Sequence, residues 1–464
     1  MVLPKKRSHE SWMRLLNPNR NVSSSTFLRS TTFLGNQHSW KRFVAFFGVI
    51  LFIVHQIQIA SVDLIYMPED GGGRTPSERP TSQLKPSTKK NNNTIVAWKG
   101  PAQGNVVSRN TTAKHKLSDF FPAETKSTYK NSNETIDDVM QGREQILSIL
   151  NDAGIVVDNP SEMRRLPRWQ QVTELYGPRP VILGLDQCRS FQDRVPPQNR
   201  FLGVAGNFNS GTTAFGISLQ ANCRFPHHND TMSRHFSNEK VSNVNGMLNQ
   251  VPWAKHKMAF NKYNHTILST VPKDHVLPVV LVRDPLYWMQ SMCKEGYGVR
   301  WDHDSQKHCP NLIPDEFDKK RFGKRLARTN VTSVRVWMGA NPTVGPSWDS
   351  LVHYWNAWYE SYVDATWPRL LIRFEDTLFH PKQVMEEVCL CGGGELVKPF
   401  QYLVDEAKWN HKQEQNNMVT AMMRYGTARG RYRNMTKDDI AFSNRILNST
   451  LLEVFQYKAP AVHS

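Results

Sequence analysis

The sequence has little cysteine for its length, with six residues among 464. So few cysteines exclude a small scaffold that is held together by disulfides instead of a core. An even number allows up to three bridges in a secretory chain, and the sequence leaves their pairing open. Cys389 and Cys391 are separated by a single residue, which is closer than the usual zinc-binding pair, and no second pair accompanies them. We therefore expect no metal site.

Acidic residues are also in the minority. The chain has 41 Asp and Glu against 58 Lys and Arg, so its formal net charge is +17. Such an excess attracts polyanions: nucleic acid, anionic membranes, phosphorylated cofactors or acidic glycans. Residues 1–42 hold eight basic residues and one acidic residue, which is +7, and the remaining +10 is spread along the chain. Because no basic patch interleaved with aromatic residues is present, nucleic acid is not an expected partner.

Long apolar runs are scarce, and the clearest is the twelve-residue stretch 43–54. A helix needs about 20 residues to span a bilayer, which this run reaches only if it continues less purely to residue 65. A buried core helix is the alternative. However, basic residues precede the run and Asp63 and Glu69 follow it, as in an anchor whose basic side stays in the cytoplasm. The sequence therefore predicts a cytoplasmic basic tail over residues 1–42, a signal-anchor transmembrane helix over 43–65 and a luminal remainder.

The predicted luminal part carries eight N-x-S/T sequons, a density typical of a secretory glycoprotein. They begin at Asn92, Asn110, Asn133, Asn229, Asn264, Asn330, Asn434 and Asn448. Residues 66–134 are rich in Gly, Pro, Ser, Thr, Asn and Lys, so they are predicted to be a flexible stem. Residues 135–464 would form the luminal domain. This plan is typical of a single-pass type II protein of the Golgi membrane.

From residue 180 onward, strand-like and helix-like segments alternate. Residues 200–208 and 275–282 are apolar and predicted to be strands, and residues 212–223 between them have the pattern of a helix. A long aromatic helix is predicted over residues 348–367, followed by another strand that begins at residue 369. Strands alternating with helices predict an α/β fold, in which helices cover both faces of a central, mostly parallel sheet.

The sharpest motif is Gly206-Asn-Phe-Asn-Ser-Gly-Thr-Thr213, which lies between a predicted strand and a predicted helix. Glycines let backbone N–H groups turn inward around a phosphate, and the N-terminus of the helix adds positive potential. The spacing is that of a Walker A loop, but Thr212 stands where that loop has its lysine. This difference disfavours hydrolysis of a nucleoside triphosphate. An ordinary glycine-containing turn is the alternative.

A second segment, Arg283-Asp284-Pro285 at the end of an apolar strand, is followed by Ser291. Together the two segments resemble the cofactor-binding motifs of the sulfotransferase superfamily, and the resemblance covers about residues 180–457. It implies a P-loop-like three-layer α/β/α fold and the co-substrate 3′-phosphoadenosine 5′-phosphosulfate (PAPS). Arg283 and Ser291 would hold the 3′-phosphate, because arginine offers a fork of donors to phosphate oxygens. The residues implied for the 5′-phosphosulfate are Asn207, Phe208, Asn209, Ser210, Gly211, Thr212 and Thr213.

Two further segments resemble the family more weakly. Residues 373–376, Arg-Phe-Glu-Asp, are similar to the end of one of its strands. Residues 426–431 resemble the basic, glycine-containing loop that closes over the cofactor. This second likeness implies cofactor contacts from Arg429, Gly430 and Arg431.

Sulfuryl transfer needs a base for the proton of the acceptor, and donors or positive charge for the leaving group. The candidate base is His256, because neutral imidazole accepts a proton near pH 7, with an ordinary surface histidine as the alternative. Family members usually have a lysine two residues before the glycine of the phosphosulfate loop, where this chain has Asn209. Asparagine donates hydrogen bonds without a charge. Therefore Lys255 or Lys257 substitutes for the lysine, or catalysis is slower, or the protein only binds the cofactor. His256, Lys257 and Asn209 are the predicted catalytic residues.

The expected function is transfer of a sulfuryl group from PAPS to a hydroxyl or amine of an acceptor, in particular a glycan, without a metal. One alternative is a Golgi glycosyltransferase, in which Asp302 and Asp304 of a DxD pattern would hold Mn²⁺ on a nucleotide sugar. The other is a catalytically inactive protein that binds PAPS. Residues 297–347 are rich in Arg, Lys and His, and they would suit either a groove for an acidic glycan or a mobile insertion.

Overall fold

The computed structural model describes residues 106–107, 115–117, 136–236, 239–259, 266–301, 310–326, 331–336, 345–405 and 417–461. The chain divides into two units, Met1–Asn93 and Thr94–Ser464, and the described residues all belong to the second. The predicted tail over residues 1–42 and the predicted anchor over 43–65 lie outside the described residues. Within the described ranges, no helix is both long and apolar enough to cross a membrane.

Sixteen strands are present in the described part of the chain. They are β1 Val106–Val107, β2 His115–Lys116, β3 Ile155–Val156, β4 Ile182–Leu183, β5 Phe201–Gly206, β6 Cys223–Arg224, β7 Thr231–Phe236, β8 Glu239–Val244, β9 Met247–Leu248, β10 Val276–Val282, β11 Val299–Trp301, β12 Val334–Val336, β13 Ser347–Trp348, β14 Leu370–Arg373, β15 Glu395–Leu396 and β16 Tyr402–Leu403.

Fifteen α-helices lie between these strands or after them, again counting the described residues. They are α1 Ile136–Met140, α2 Glu144–Asp152, α3 Pro160–Met163, α4 Trp169–Tyr176, α5 Cys188–Arg194, α6 Thr212–Asn222, α7 Pro285–Lys294, α8 Glu316–Leu326, α9 Leu351–Val363, α10 Phe374–Phe379, α11 Pro381–Gly392, α12 Met418–Tyr425, α13 Ala428–Arg431, α14 Lys437–Ile446 and α15 Ser449–Val454.

The largest sheet has seven strands in the order β4-β14-β10-β5-β9-β8-β7. Strands β14, β10, β5 and β9 run parallel to one another, whereas β4 pairs antiparallel with β14 at one edge and β8 pairs antiparallel with both β9 and β7 at the other. The sheet is therefore mixed, with mostly parallel strands and flanking helices, in agreement with the predicted α/β class. The antiparallel strands at both edges are a difference from the simple alternation that the sequence predicts.

The burial of strand β10 shows that helices cover both faces of the sheet. All seven residues of β10 are buried, as expected for a strand between two layers of helices. Val280 and Val282 belong to one apolar core, and Val279 and Leu281 belong to another, because successive side chains of a strand point to opposite faces. The first core contains the large aromatic residues of α7 and α9: Trp288, Trp355, Trp358, Tyr359 and Tyr362. The second contains residues of α5, α6 and α11: Phe191, Leu219, Val384 and Val388.

Two disulfides link α11 to α5 and to β6. Cys188 bonds to Cys391 and Cys223 to Cys389, so the two closely spaced cysteines belong to different bridges. Cys293 is also disulfide-bonded. The bridges close loops of 203 and 166 residues, and long loops of this kind remove much entropy from the unfolded chain.

Part of the segment predicted to be a flexible stem is paired with the folded unit. Strand β1 runs antiparallel to β16, and β2 runs parallel to β3. Leu117, directly after β2, is fully buried in the first core. The low apolar content of residues 66–134 as a whole hides these short segments, because composition averages over a long window.

Candidate functional site

The predicted phosphate-binding turn connects β5 to α6 at the carboxyl end of the parallel strands. Gly211 has a φ of 88°, and a Cβ atom there would lie 2.2 Å from Cδ2 of Phe374. A Cβ atom on Gly206 would lie 2.4 Å from Oγ of Ser210. Both positions therefore require glycine, and the turn is tight enough for backbone N–H groups to approach a ligand closely.

Inside this turn, several donors have no acceptor. Asn207 is fully buried and its Oδ1 accepts from the N–H of Phe208 at 2.8 Å, but its Nδ2 has no partner among the described residues. Oγ of Ser210 donates to the carbonyl of Asn207 at 2.7 Å, which fixes the curvature. Within the described chain, the N–H groups of Gly211, Thr212 and Thr213 donate no hydrogen bond, as expected at the first turn of a helix. The turn thus presents donors and no acidic side chain.

Asn209 ties the turn to the end of α7. Its φ is 57°, in the left-handed region, which asparagine tolerates better than most residues. Its Nδ2 donates to the carbonyl of Glu295 at 2.7 Å and to that of Ser291 at 3.3 Å. The side chain therefore caps the carbonyl end of α7, where orphan acceptors need donors. This placement gives Asn209 a positioning role in the loop.

Arg283 follows β10, the strand beside β5, and reaches into the same turn. Its Nη1 donates to the main-chain oxygen of Asn209, and its guanidinium carbon lies 5.1 Å from the ring centre of Phe374 and 4.8 Å from that of Tyr425. The residue is 7% exposed, and its buried Nε has no partner among the described residues. Burial lowers the pKa of Arg283 to about 10, with a further lowering from the nearby positive charge of Arg424. Arg283 is thus a charged, partly unsatisfied donor at the rim of the turn.

Helix α7 holds the turn and Ser291 together. Nε1 of Trp288 donates to the carbonyl of Phe208 at 2.7 Å. Oγ of Ser291 donates to the carbonyl of Tyr287, one turn earlier, at 3.0 Å, so its hydroxyl hydrogen is engaged within the helix. Arg283 and Ser291 both contact Asn209: the side chain of Arg283 donates to the carbonyl of Asn209, and the carbonyl of Ser291 accepts from the side chain of Asn209. The two residues predicted for the 3′-phosphate therefore lie together, beside the turn predicted for the 5′-phosphosulfate.

His256 lies at the end of β5, against the turn. Its Nδ1 is 2.7 Å from the carbonyl oxygen of Gly206, and its ring is 4.6 Å from that of Phe208. A carbonyl only accepts, so Nδ1 carries the hydrogen and, in the neutral ring, Nε2 carries the lone pair. The N–H of Gly206 donates to the carbonyl of Lys255 at 2.9 Å, and burial lowers the pKa of Lys257. The segment 255–257 is thus fastened to the strand from which the turn begins.

The residues predicted to close over the cofactor have three different environments. Arg431 is 2% exposed and its Nε donates to Oδ2 of Asp284 at 2.8 Å, in a buried ion pair. Gly430 packs on α7, since a Cβ atom there would lie 2.6 Å from the hydroxyl of Tyr287. Arg429 is exposed. Arg431 therefore stabilises the Arg283-Asp284 segment through Asp284, and Arg429 is the member of this group that reaches solvent.

The sequence analysis singled out the segment 373–376 but gave its Glu375 carboxylate, which lies behind Arg283, no role in the site. Glu375 is fully buried, accepts from the N–H of Asp284 at 3.1 Å through Oε1, and accepts from the hydroxyl of Tyr457 at 2.7 Å through Oε2. Burial and the neighbouring Asp284 raise the pKa of Glu375 to about 7. A signal was present: Glu375 follows β14 as Asp284 follows β10, and the carboxyl ends of adjacent parallel strands meet at one edge of a sheet.

An apolar cavity of about 110 Å³ opens beside the turn. Its wall includes Ala214 and Phe215, directly after the turn, Phe374, and Met418 and Ala421 of α12. Phe374 thus separates this cavity from Gly211 and Arg283.

The alternative site of the DxD pattern, Asp302 and Asp304, lies outside the described residues. Among the residues that are described, no group of three or more His, Cys, Asp or Glu side chains is arranged to hold a metal ion.

The chain matches no model of a known protein family, no curated protein and no solved structure.

Proposed function

We propose that this chain is a sulfotransferase that transfers a sulfuryl group from PAPS to a hydroxyl or amine of an acceptor, a glycan of the secretory pathway. The proposal includes a P-loop-like three-layer α/β/α domain, anchored in the Golgi membrane by residues 43–65. The observation that carries it is the convergence of two segments remote in sequence: the turn Asn207–Thr213, and the stretch after β10 that contains Arg283 and Ser291. The two meet at Asn209.

The donors of the site fit an anionic, two-ended ligand. Asn207 Nδ2 and Arg283 Nε are buried without a partner in the described chain, and an unsatisfied buried donor is costly unless a ligand satisfies it. A phosphosulfate at the turn and a 3′-phosphate at Arg283 would supply the missing acceptors, and the hydroxyl of Ser291 would turn from the carbonyl of Tyr287 to the 3′-phosphate. The purine would occupy the apolar cavity beside Phe374. The two disulfides favour an oxidising compartment such as the secretory lumen.

Each side chain has a role that its environment permits. The N–H groups of the turn and the first turn of α6 would stabilise charge on the 5′-phosphate as the bond from its oxygen to sulfur breaks. Nε2 of His256 would take the proton of the acceptor hydroxyl, since Nδ1 is committed to Gly206. Bound PAPS supplies the sulfuryl group and leaves as 3′-phosphoadenosine 5′-phosphate (PAP). Lys257, whose pKa is lowered by burial, substitutes in this proposal for the lysine that Asn209 replaces.

Calorimetric titration of the purified full-length chain with PAP and with ATP tests the cofactor site. We expect PAP to bind more tightly than ATP, and Arg283→Ala to lose at least about tenfold in affinity, because a charged hydrogen bond contributes about 1.5–3 kcal/mol. Arg189→Ala, a change to an exposed arginine outside the candidate site, is the matched control. Well-folded protein that binds no PAP would overturn the proposal and give priority to a metal-dependent glycosyltransferase.

A second candidate is a PAPS-binding protein without turnover, which is favoured by the capping role of Asn209. Labelled PAPS with a panel of glycan acceptors separates the two functions. Sulfation that is lost in His256→Gln, with PAP affinity retained, supports catalysis. Tight PAP binding with no transfer to any acceptor supports the binding protein.

A further inference from the structure

Six buried charged residues form a cluster at the end of β10. They are Arg283, Arg373, Arg431, Asp284, Glu375 and Asp376. Two pairs are satisfied directly: Arg431 with Asp284 at 2.8 Å, and Arg373 with Asp376 at 2.7 Å. The remaining charges are Arg283 and Glu375. Among the described residues these two form no direct ion pair, yet each shifts the pKa of the other through its charge. Glu375 accepts from the N–H of Asp284, the residue directly after Arg283, and it is the one carboxylate of this cluster without an arginine in a salt bridge among the described residues. Its position therefore makes it the negative charge that balances Arg283 when no anion is bound.

The surroundings of Glu375 bring its ionised and protonated forms close in free energy near neutral pH. The titratable and charged groups that act on it are Arg283, Asp284, Tyr176, Tyr287, Tyr359, Arg373 and Tyr457. Of these, Asp284 opposes its ionisation, and burial opposes it more strongly. Arg283 and the hydroxyl of Tyr457 favour the ionised form. The backbone hydrogen bond to the carboxylate also favours the ionised form. If the charge of Arg283 is neutralised by a ligand, the contribution of Arg283 disappears and those of the two hydrogen bonds remain.

We propose that Glu375 is the resident counter-ion of Arg283, and that an anion bound at Arg283 replaces it, so that the Glu375 carboxylate becomes more fully protonated by uptake of a fraction of a proton from solvent. The inference rests on the proposed function in that it takes Arg283 as the site of a phosphate. Because the bound state then holds more protons than the free state, binding strengthens as the pH falls. Glu375 acts through Arg283 and Asp284 and touches no ligand atom, so it is a positioning residue.

The hydrogen bonds of Glu375 tolerate either protonation state. Oε1 accepts from the main chain of Asp284, and Oε2 faces the hydroxyl of Tyr457. A protonated Oε2 donates to that hydroxyl instead of accepting from it, and Oε1 remains an acceptor. For the same reason Glu375→Gln keeps both contacts, with its amide oxygen toward Asp284 and its NH₂ toward Tyr457. This variant removes the charge and preserves the geometry.

The test is isothermal titration of the full-length chain with PAP and, in parallel, with inorganic pyrophosphate. It is run near neutral pH in buffers of different ionisation enthalpy, so that proton uptake is counted. The ligand phosphates themselves titrate near a pKa of about 6, so the difference between wild type and Glu375→Gln carries the result. Glu395→Gln, at an exposed carboxylate paired with Arg224, is the control and should match wild type.

We expect wild type to take up a fraction of a proton more than Glu375→Gln. We also expect the affinity of wild type for the anion to weaken more than that of the variant as the pH rises. The extra loss is up to about tenfold for each unit by which the bound anion raises the pKa of Glu375. Should Glu375→Gln fail to fold, infrared difference spectra of wild type decide the matter. A protonated-carboxyl band that appears on ligand addition supports the proposal, and its absence overturns it.

The outcomes separate this inference from the proposed function. PAP that binds with the same proton count in both proteins overturns the counter-ion role and leaves the PAPS site intact. Pyrophosphate that binds with the expected difference, while PAP does not bind more tightly than pyrophosphate, supports the counter-ion and overturns the PAPS assignment. If neither anion binds, both are wrong.

Discussion

Nη1 of Arg283 donates to the main-chain oxygen of Asn209, so the end of β10 and the turn after β5 are joined through one hydrogen bond. Asn209 in turn donates from its side chain to the last carbonyls of α7. The main-chain oxygen of Asn209 therefore accepts from Arg283, one of the two residues proposed to bind the 3′-phosphate. Its side chain holds the helix that carries the other residue, Ser291. Asn209 is at the centre of the candidate site without offering its amide to a ligand.

Replacing Asn209 should cost stability through two separable effects. Asn209→Ala loses the cap of α7 and places a Cβ-bearing residue without a local hydrogen bond at φ 57°, so we expect a loss of about 2 kcal/mol in the free energy of unfolding. Asn209→Gly relieves the backbone and loses only the cap, so about 1 kcal/mol is expected. Urea denaturation of the three proteins measures the difference. Equal losses in both variants would show that the backbone conformation contributes nothing.

Gly211 should be far less replaceable than another glycine of similar backbone conformation. Gly211→Ala combines a φ of 88° with a contact of 2.2 Å to the ring of Phe374. Gly154→Ala has a φ of 78° and no heavy atom within 4 Å of the new Cβ atom. The control should lose about 1–2 kcal/mol from the left-handed conformation alone. Gly211→Ala should lose a further 1–3 kcal/mol by overpacking and should weaken PAP binding. Thermal melts and titration check this, and identical melting temperatures would contradict it.

The buried ion pair of Arg431 and Asp284 should matter much more than the exposed charge of Arg429 on the same short helix. Arg431→Ala leaves the carboxylate of Asp284 buried without its partner and next to Glu375, so we expect a loss of about 3–5 kcal/mol. Arg429→Ala should change stability by less than about 0.5 kcal/mol. Chemical denaturation gives both values. A small loss in Arg431→Ala would mean that water or a rearranged side chain satisfies Asp284.

The pH dependence of stability should carry a contribution from Glu375. Its pKa is raised from the usual 4.5 to about 7, so the folded protein binds more protons than the unfolded chain between these values. The stabilisation is fully present below about pH 4.5 and is lost as the pH rises through about 7. Relative to Glu375→Gln, wild type should therefore lose up to about 3 kcal/mol across this window. Parallel denaturation curves from pH 5 to about pH 8 check the slope. A constant difference between the two proteins would show that Glu375 does not titrate there.

Much of the site could be predicted from local sequence, because its parts lie within single strand-turn-helix units. The glycines of the turn, the apolar run of β10 and the charged Arg283-Asp284 segment after it are each visible in a few consecutive residues. The joint role of Arg283 and the turn was implied by the resemblance to the sulfotransferase motifs. The structure places them close together because β5 and β10 are adjacent parallel strands, whose carboxyl ends meet at one edge of the sheet. The antiparallel strands β7 and β8 were missed, since their mixed polar sequence carries little periodicity.

The sequence alone therefore determined the α/β class, the position of the turn and the two motifs that face it, since these depend on local patterns of apolar residues and glycine. Only the tertiary structure decided which side chains those motifs meet. The pairing of Arg431 with Asp284, the capping of α7 by Asn209 and the burial of Glu375 behind Arg283 join residues up to 147 positions apart. Their distances and charges arise from packing, because burial in a common core is what turns remote polar residues into partners.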